Sequence, residues 1–476
     1  MALPQLDIIN ALALSHFGAN PTCVVPLAFS GSNRRYFRLG VSGKTFIAVV
    51  GDDIEENKTF LYLTQHLAAK GIAVPKIEAV SNDHSAYILE DLGKQDLFSI
   101  ITDTEVEVAT KTSLLKKALE KLVEIQVDGA EGLDFMRCYP QPSFDATTVM
   151  WDLNYFKYCF LKPSGIYFNE SLLENDFHQF AQTLATGEGN YFQYRDFQSR
   201  NIMVRDSGEL VFIDYQGGRR GPLLYDAASF IYQAKAGLSE EVKTELFEHY
   251  LQALSTKVAI DKVDYRERFK LFVLFRTLQV LGAYGFRGYF EHKPHFLQSI
   301  PFAIKNLRKI LEQTLPGLSY LAEVLSNLTL KEFGGEQLAA FNGLTMEVWS
   351  FSYRRGVPDD LSGNGGGFVF DCRAVYNPGR SPELGSLTGR DKEVVAFIES
   401  SSEMENFLDG ATQLANKSVE RYLERGFTNL MLSFGCTGGQ HRSVYAAEAM
   451  AHKIKSHYPE VRVVLHHREL GITETM

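Results

Sequence analysis

Two segments decide the fold of the first two-thirds of this chain: Tyr194-Arg195-Asp196-Phe197-Gln198-Ser199-Arg200-Asn201, which we call the Asp196 loop, and Phe212-Ile213-Asp214-Tyr215-Gln216. The loop places an Asp and an Asn five positions apart, and the second segment places a lone Asp after an apolar run. Apolar runs at 202–204 and 210–213 bracket the turn between them, which predicts a β-hairpin. Such a hairpin would hold Asp196, Asn201 and Asp214 close together.

These three residues have the types and spacing that transfer of a phosphoryl group from ATP requires. In loops with Asp-x-x-x-x-Asn spacing, the Asp orients the acceptor hydroxyl, the Asn holds magnesium, and a later Asp supplies a second metal ligand. Two oxygen ligands are needed because the metal must neutralise charge between the β- and γ-phosphates as the bond breaks. We predict Asp196 as the catalytic residue, Asn201 and Asp214 as metal ligands, and ATP and Mg²⁺ as cofactors.

The composition limits the classes of function. The chain has 476 residues, of which 45% are apolar and 22% charged, as expected for a globular protein of two or three domains. Its net charge of −10 argues against a general nucleic-acid or anionic-membrane surface. The five cysteines include no C-x-x-C, which indicates reduced thiols. We see no signal peptide and no apolar run near the ~20 residues of a membrane helix, and therefore expect a cytoplasmic protein.

The order of predicted elements indicates two domains. Residues 22–50 alternate like three strands, residues 55–69 form an amphipathic helix, and residues 76–90 hold two more strands. Helical patterns then dominate to about 326. This is an α+β, protein-kinase-like bilobal layout, which we assign to residues 1–335. Beyond a short stretch with two glycines, strands and helices alternate, which predicts an α/β domain over 344–476.

Two segments are candidates for holding the nucleotide. Ser30-Gly31-Ser32-Asn33 lies between two predicted strands, where backbone N–H groups would face a phosphate, and two arginines follow at once. A solvated hairpin is the alternative. Glu90-Asp91-Leu92-Gly93 lies between the last strand and the helical region, as a hinge whose backbone would read adenine. The predicted nucleotide-binding residues are Ser32, Asn33, Arg34, Arg35, Glu90 and Leu92.

This region resembles the aminoglycoside/choline phosphotransferase family, and most closely its anomeric kinases of N-acetylmuramic acid and N-acetylglucosamine. The finer resemblance rests on Ser32-Asn33-Arg34-Arg35-Tyr36-Phe37-Arg38, Leu89-Glu90-Asp91-Leu92-Gly93, the Asp196 loop, and Ile213-Asp214-Tyr215-Gln216 with Gly221-Pro222-Leu223-Leu224-Tyr225-Asp226. It implies an amino-sugar acceptor of cell-wall recycling. Choline, ethanolamine, homoserine or an antibiotic stay open as acceptors.

The chain departs from the family pattern at two places. Tyr194 replaces the His that usually opens the catalytic loop. The predicted third strand, residues 46–50, has no Lys to bind phosphate and pair with a helix glutamate. Candidates to replace the Lys are Arg34, Arg35 and Lys58, and candidates for its partner are Glu55 and Glu56. The missing Lys keeps open a pseudokinase that acts as a regulator or adaptor.

A second candidate site lies in Gly435-Cys436-Thr437-Gly438-Gly439-Gln440-His441-Arg442-Ser443, between a predicted buried strand and a helix. Backbone N–H groups at a helix start, small residues and an arginine together favour an anion. We predict a phosphosugar or anion site formed by Cys436, Thr437, Gly438, Gly439, His441, Arg442 and Ser443. The C-x5-R-S pattern also fits phosphatases in which a thiolate attacks phosphate, so a Cys436-dependent phosphatase is an alternative.

Residues 346–470 resemble the C-terminal domain of RapZ, a bacterial regulator that senses glucosamine-6-phosphate and acts as an adaptor for RNA degradation. The matching segments include Ser350-Phe351-Ser352-Tyr353-Arg354-Arg355-Gly356, Leu387-Thr388-Gly389-Arg390-Asp391, the 435–443 loop, and His466-His467-Arg468-Glu469-Leu470. The resemblance implies a phosphosugar effector and makes Cys436 a small loop residue. Residues 344–476 carry 14 Lys and Arg against 17 Asp and Glu, a net −3, so we expect no RNA partner.

Overall fold

The computed structural model describes residues 3–27, 34–186, 189–291, 293–313, 315–331, 343–358, 360 and 367–476. The chain divides into two units, Met1–Phe286 with Ser299–Glu332 and Arg287–Gln298 with Phe333–Met476. The predicted boundary between 335 and 344 falls largely on residues outside those described. Ser32 and Asn33, two of the predicted nucleotide-binding residues, also lie outside them.

The first unit begins with helix α1 and an antiparallel five-stranded sheet with the order β1-β2-β3-β5-β4. Its elements are α1 (Leu3–Phe17), β1 (Cys23–Pro26), β2 (Arg35–Val41), β3 (Lys44–Val50), α2 (Ile54–Ala69), β4 (Ile77–Val80) and β5 (Ala86–Glu90). The predicted five strands and the helix between the third and fourth are confirmed. Helix α2 begins at Asp53, whose side chain accepts a hydrogen bond from the N–H of Glu56, and its apolar stripe is buried.

A helical region follows, interrupted by short strands around the Asp196 loop. The elements are α3 (Leu97–Thr102), α4 (Val108–Val127), α5 (Ala146–Phe156), α6 (Glu170–Ala185), β6 (Phe192–Gln193), β7 (Ile202–Val204), β8 (Leu210–Phe212), β9 (Arg219–Arg220), α7 (Leu223–Ile231), α8 (Glu240–Ser255), α9 (Lys262–Gly285), α10 (Pro294–Leu297), α11 (Ile300–Leu311) and α12 (Ser319–Leu330). The predicted hairpin is formed by β7 and β8, with Ile202 opposite Phe212. It carries the Asp196 loop at its start and Asp214 just beyond its end.

One helix in the described part of the chain, Lys262–Phe290, is long and apolar enough to cross a membrane by length and composition. Most of its apolar window, 61%, is buried inside the structure. That burial is typical of a core helix of a folded domain, and the charged residues at its start are exposed.

The second unit is an α/β domain with the sheet order β11-β12-β10-β13-β14. Its elements are β10 (Thr345–Ser352), β11 (Gly367–Asp371), α13 (Lys392–Glu399), α14 (Glu403–Arg425), β12 (Asn429–Cys436), α15 (Arg442–His457), β13 (Arg462–His467) and β14 (Ile472–Thr475). The first four strands of the sheet are parallel, and β14 pairs antiparallel with β13. The loop between β12 and α15 therefore lies at the carboxyl edge of the parallel strands, where ligands of α/β sheets bind.

Candidate active site and candidate anion site

Asn201 and Asp214 lie in direct contact beside the Asp196 loop. Asn201 Nδ2 donates to Asp214 Oδ2 at 3.2 Å and to the backbone carbonyl of Asp196 at 2.9 Å. Gln216 Nε2 donates to the other carboxylate oxygen of Asp214 at 2.9 Å. Burial raises the pKa of Asp214, and the negative charge of Asp196 raises it further. The structure thus brings the side chains of Asn201, Asp214 and Gln216 together. The neighbouring carboxylates of Asp196 and Asp214 favour a cation between them.

Asp226, the first-turn acid of α7, holds the backbone of the Asp196 loop. Its buried carboxylate accepts hydrogen bonds from the N–H groups of Tyr194 and Arg195, both at 2.8 Å. Burial raises the pKa of Asp226 to about 7, although these N–H groups oppose the shift. Arg195 has φ +79° and Asp214 has φ +69°, in the left-handed region, which is uncommon for residues other than glycine. Such strain is typical of functional loops and requires anchoring of this kind.

Tyr194, which replaces the usual His, links the Asp196 loop to the segment of Asp214. Its buried hydroxyl donates to the backbone carbonyl of Ile213 at 2.5 Å. The next residue after Asp214, Tyr215, shares a hydrogen bond with Thr64 of α2 at 2.6 Å, and its ring stacks on Phe60. Tyr194 therefore makes a structural contact, and helix α2 packs against the segment that carries Asp214.

Residues 46–50 of β3 lack the lysine of the family pattern, and Arg34, just before β2, is the best-placed candidate to replace it. Arg34 is 3% exposed, and its guanidinium forms a 2.5 Å ion pair with Glu56 of α2. Its charge also acts on Asp214 to lower the pKa of that carboxyl. The other candidates are engaged elsewhere, since Arg35 donates to Gln5 of α1 at 2.6 Å and Lys58 pairs with Glu55. Of the three candidate cations, Arg34 is the one whose ion pair faces the Asp214 segment.

The hinge region is held by charged side chains around Glu90 and Leu92. Arg38 binds the Asp91 carboxylate through two hydrogen bonds, at 2.7 and 3.0 Å. Burial acts to raise the pKa of Asp91, but the hydrogen bonds from Arg38, from the Gly93 N–H and from Thr45 together outweigh it and lower the pKa. Glu90 forms a 2.8 Å ion pair with Arg205, beyond β7, while Leu92 is half-buried. These contacts tie the strand lobe to the hairpin and fix the backbone that was predicted to read adenine.

Three polar residues at this site were missed by the sequence reasoning. Gln216 belongs to the quoted motif, but only its bond to Asp214 reveals its position. Asp152 of α5 lies 3.5 Å from the Arg195 guanidinium, and Gln279 of α9 donates to Asp152 at 2.8 Å. No spacing rule connects residues 152, 195 and 279, so no signal in the sequence could have identified this contact.

In the second unit, Cys436 ends β12 beneath the predicted anion loop. Its sulfur lies 3.1 Å from the Ser443 hydroxyl and accepts from the Gly439 N–H at 3.2 Å. Burial acts to raise the pKa of the Cys436 thiol, but these hydrogen bonds and the charge of Arg442 outweigh it and lower the pKa. Cys436 is only 3% exposed, whereas Thr437 and Gly438 are exposed at the tip of the loop.

Side chains of the loop are bound to neighbouring segments. Arg442 NH1 donates to the backbone carbonyls of Val375 at 2.8 Å and Arg373 at 3.2 Å, and its Nε is buried without a hydrogen-bond partner. His441 Nε2 lies 3.0 Å from the carbonyl of Leu384. Thr437 and Gly438 are thus the part of the loop that a ligand can reach, while Arg442 and His441 hold the surrounding segments.

Two family models match the chain. A model described as the phosphotransferase enzyme family matches residues 24–268, and a model of the RapZ C-terminal domain matches residues 344–471. A nucleotide-binding protein from Acidithiobacillus ferrooxidans is 40% identical over 136 residues, which cover 29% of this chain and 43% of that protein. One from Chromohalobacter salexigens is 38% identical over 152 residues, covering 31% and 49%. The chain spans about half the length of these relatives or less.

Solved structures of kinases align with the first part of the chain. A choline kinase from Streptococcus pneumoniae aligns with a TM-score of 0.45 at 14% identity, covering 64% of this chain and 99% of that one. An ethanolamine kinase from Plasmodium vivax aligns with a TM-score of 0.43 at 14% identity, covering 64% and 87%.

Proposed function

The chain belongs to the phosphotransferase enzyme family, and we propose that its first unit transfers the γ-phosphoryl group of ATP to a hydroxyl of a small molecule. The contact between Asn201 and Asp214 beside the Asp196 backbone carries this proposal. This contact brings Asp196, an acid that can orient a hydroxyl, close to Asn201 and Asp214, which can supply two oxygen ligands to a metal. Phosphoryl transfer uses this arrangement. The Arg34–Glu56 ion pair adds a cation whose charge acts on Asp214.

The proposed roles follow from these positions. Asp196 accepts the proton of the acceptor hydroxyl and directs its oxygen at the phosphorus, in line with the leaving ADP oxygen. Asp226 fixes the two N–H groups before Asp196 and so sets the direction of that carboxylate. Arg34 stabilises negative charge on the phosphates, and Glu56 holds Arg34 in place. Backbone groups at Glu90 and Leu92 bind adenine, and Ser32, Asn33 and Arg35 complete the proposed nucleotide site.

The donor set fits magnesium. Asp214 and Asn201 offer hard oxygen atoms, which Mg²⁺ prefers, and Mg²⁺ usually takes only one or two protein ligands besides phosphate and water. Within the described residues, no group of three or more His, Cys, Asp or Glu side chains could hold a metal ion by itself. When bound, magnesium would neutralise charge between the β- and γ-phosphates.

An amino sugar, N-acetylmuramic acid or N-acetylglucosamine, is the proposed acceptor. The support for this finer statement is the likeness of residues 32–38, 89–93 and 213–226 to anomeric sugar kinases. In the second unit, we assign phosphosugar binding to the loop of residues 436–443, with glucosamine-6-phosphate as the effector. We propose that the bound phosphosugar feeds back on the kinase.

The first experiment is ATP consumption by the full chain with Mg²⁺ and each of N-acetylmuramic acid, N-acetylglucosamine, choline, homoserine and kanamycin. We expect turnover on an amino sugar, and a loss of about 10²–10⁴-fold in kcat in Asp196→Ala. No turnover on any acceptor, together with binding of glucosamine-6-phosphate, would instead favour a pseudokinase that acts as a sensor or adaptor.

A Cys436-dependent phosphatase is the second candidate, favoured by the lowered pKa of the Cys436 thiol. The burial of that thiol and the bonds of Arg442 to backbone carbonyls weigh against it, since a phosphatase arginine must be available to its phosphate. Release of phosphate from glucosamine-6-phosphate by the wild type, and its loss in Cys436→Ser, would support the phosphatase.

A further inference from the structure

Asp152 and Arg195 form an ion pair that the proposed mechanism does not use. Asp152 lies on α5, and Arg195 immediately precedes Asp196. The distance between Arg195 NH2 and Asp152 Oδ1 is 3.5 Å, and their side chains are 27% and 18% exposed, respectively. Charge-assisted hydrogen bonds between such groups are usually about 2.7–2.9 Å long. The pair is therefore loose, and both groups retain hydrogen-bonding capacity toward a ligand that reaches them from solvent.

The Asp152 carboxylate is held in a fixed orientation. Gln279 of α9 donates to Asp152 Oδ2 at 2.8 Å, which leaves Oδ1 facing Arg195. The amide oxygen of Gln279 accepts in turn from the hydroxyl of Tyr225 at 2.7 Å and from Arg276. Arg276 also donates to the Ser229 hydroxyl at 2.8 Å. A carboxylate that only formed a surface ion pair would not need a network of buried side chains behind it.

The pair adjoins the predicted point of phosphoryl transfer. The backbone N–H of Arg195 is fixed by Asp226, and its φ of +79° sets the direction of its side chain relative to Asp196. Asp152 is close enough to Asp196 for the two negative charges to repel, although burial is the larger cause of the raised pKa of Asp152. Gly217 lies against the side chain of Arg195, since a Cβ at Gly217 would lie in ordinary contact with Arg195 Cδ at 3.6 Å.

We propose that Asp152 and Arg195 form the acceptor subsite of the kinase and select a polyhydroxy acceptor without a cationic group. Asp152 Oδ1 accepts a hydrogen bond from a hydroxyl next to the one that is phosphorylated, while Arg195 donates to a second acceptor oxygen. Because the two charges nearly cancel, the subsite suits the paired donors and acceptors of a sugar better than a cation such as choline. This inference rests on the proposed function, which it deepens.

The test is the Asp152→Asn variant of the full chain. With N-acetylglucosamine and N-acetylmuramic acid as acceptors, we expect the acceptor KM to rise at least about tenfold, as loss of a charge-assisted hydrogen bond predicts. The KM for ATP should stay within about twofold. The matched control is Asp264→Asn, which removes an exposed carboxylate that lies 3.7 Å from Arg268 on α9. It should leave both KM values unchanged.

Three results would overturn the subsite. The first is an unchanged acceptor KM in Asp152→Asn, and the second is an equal increase of the KM values for ATP and for the acceptor in that variant. Thirdly, choline turnover that depends on Asp152 would show that the acceptor class is wrong. Calorimetric titration of N-acetylglucosamine into wild type and variant measures the same contact without turnover. If the wild type binds the sugar but does not phosphorylate it, the proposed kinase activity is refuted and the acceptor subsite is not. If Asp152→Asn does not fold, Gln279→Leu is the replacement variant, and it is also expected to raise the acceptor KM.

Discussion

Substitution of Arg34 by Met tests whether this residue replaces the missing lysine. Arg34 is almost fully buried, whereas its partner Glu56 is 29% exposed and can regain water. The stability loss should therefore lie between the ~0–1 kcal/mol of an exposed pair and the ~3–5 kcal/mol of a buried pair that loses one member, at about 2 kcal/mol. If Arg34 also binds phosphate, a charge-assisted bond of about 1.5–3 kcal/mol is lost, and kcat/KM for ATP falls about 10–150-fold.

The assay is steady-state kinetics at varied MgATP with saturating acceptor, after urea unfolding has established that the variant is folded at the assay temperature. Lys58→Met is the matched control, because Lys58 is another candidate cation but forms an exposed 2.8 Å hydrogen bond with Glu55 on α2. We expect it to change kcat/KM for ATP by less than about threefold, as an exposed hydrogen bond predicts. Equal effects of the two substitutions, or an Arg34→Met variant with unchanged kinetics, would refute the assignment.

Three further predictions concern single residues. Asp214→Asn should raise the Mg²⁺ concentration at half-maximal rate and lower kcat at least about 100-fold; an unchanged Mg²⁺ dependence excludes the ligand role. Because the pKa of Asp226 is raised to about 7, the native state binds a proton that the unfolded state has lost, so stability falls by up to about 4 kcal/mol as pH rises from about 4 to 8. Urea unfolding of Asp226→Asn should show a correspondingly smaller fall, and equal pH dependences would contradict this. Gly439→Ala should weaken glucosamine-6-phosphate binding at least about tenfold by calorimetry, because its Cβ would lie 2.3 Å from Glu469 Cγ at a φ of +71°. The control Gly410→Ala, on α14 with nothing within 4 Å of its Cβ, should bind normally.

Local patterns were enough to predict most of the secondary structure. The strands of the first unit follow from the alternation of their residues, and helix α2 follows from the amphipathic spacing of residues 55–69 and the glycine after them. The helical pattern of 391–424 is a single run in the sequence, whereas the structure divides it into α13 and α14 near Ser400. Helix α1 was not predicted, because the mixed apolar and polar residues at the start of the chain gave no clear periodicity.

Within the candidate site, the sequence by itself determined the group of Asp196, Asn201 and Asp214. The reason is that a hairpin of fixed length converts a sequence spacing into a spatial distance. The α+β and α/β classes of the two regions followed in the same way from the order of strands and helices.

Only the tertiary structure decided which cation pairs with which acid. Arg34 and Glu56 are separated by two strands, and Asp152, Arg195 and Gln279 come from three distant elements. The sequence offered two arginines and one lysine as the possible cation of the missing ion pair, and two glutamates as its possible partner. Burial selects the pair, because a guanidinium removed from water needs a carboxylate partner. The packing of α2 on the sheet brings Glu56 to Arg34.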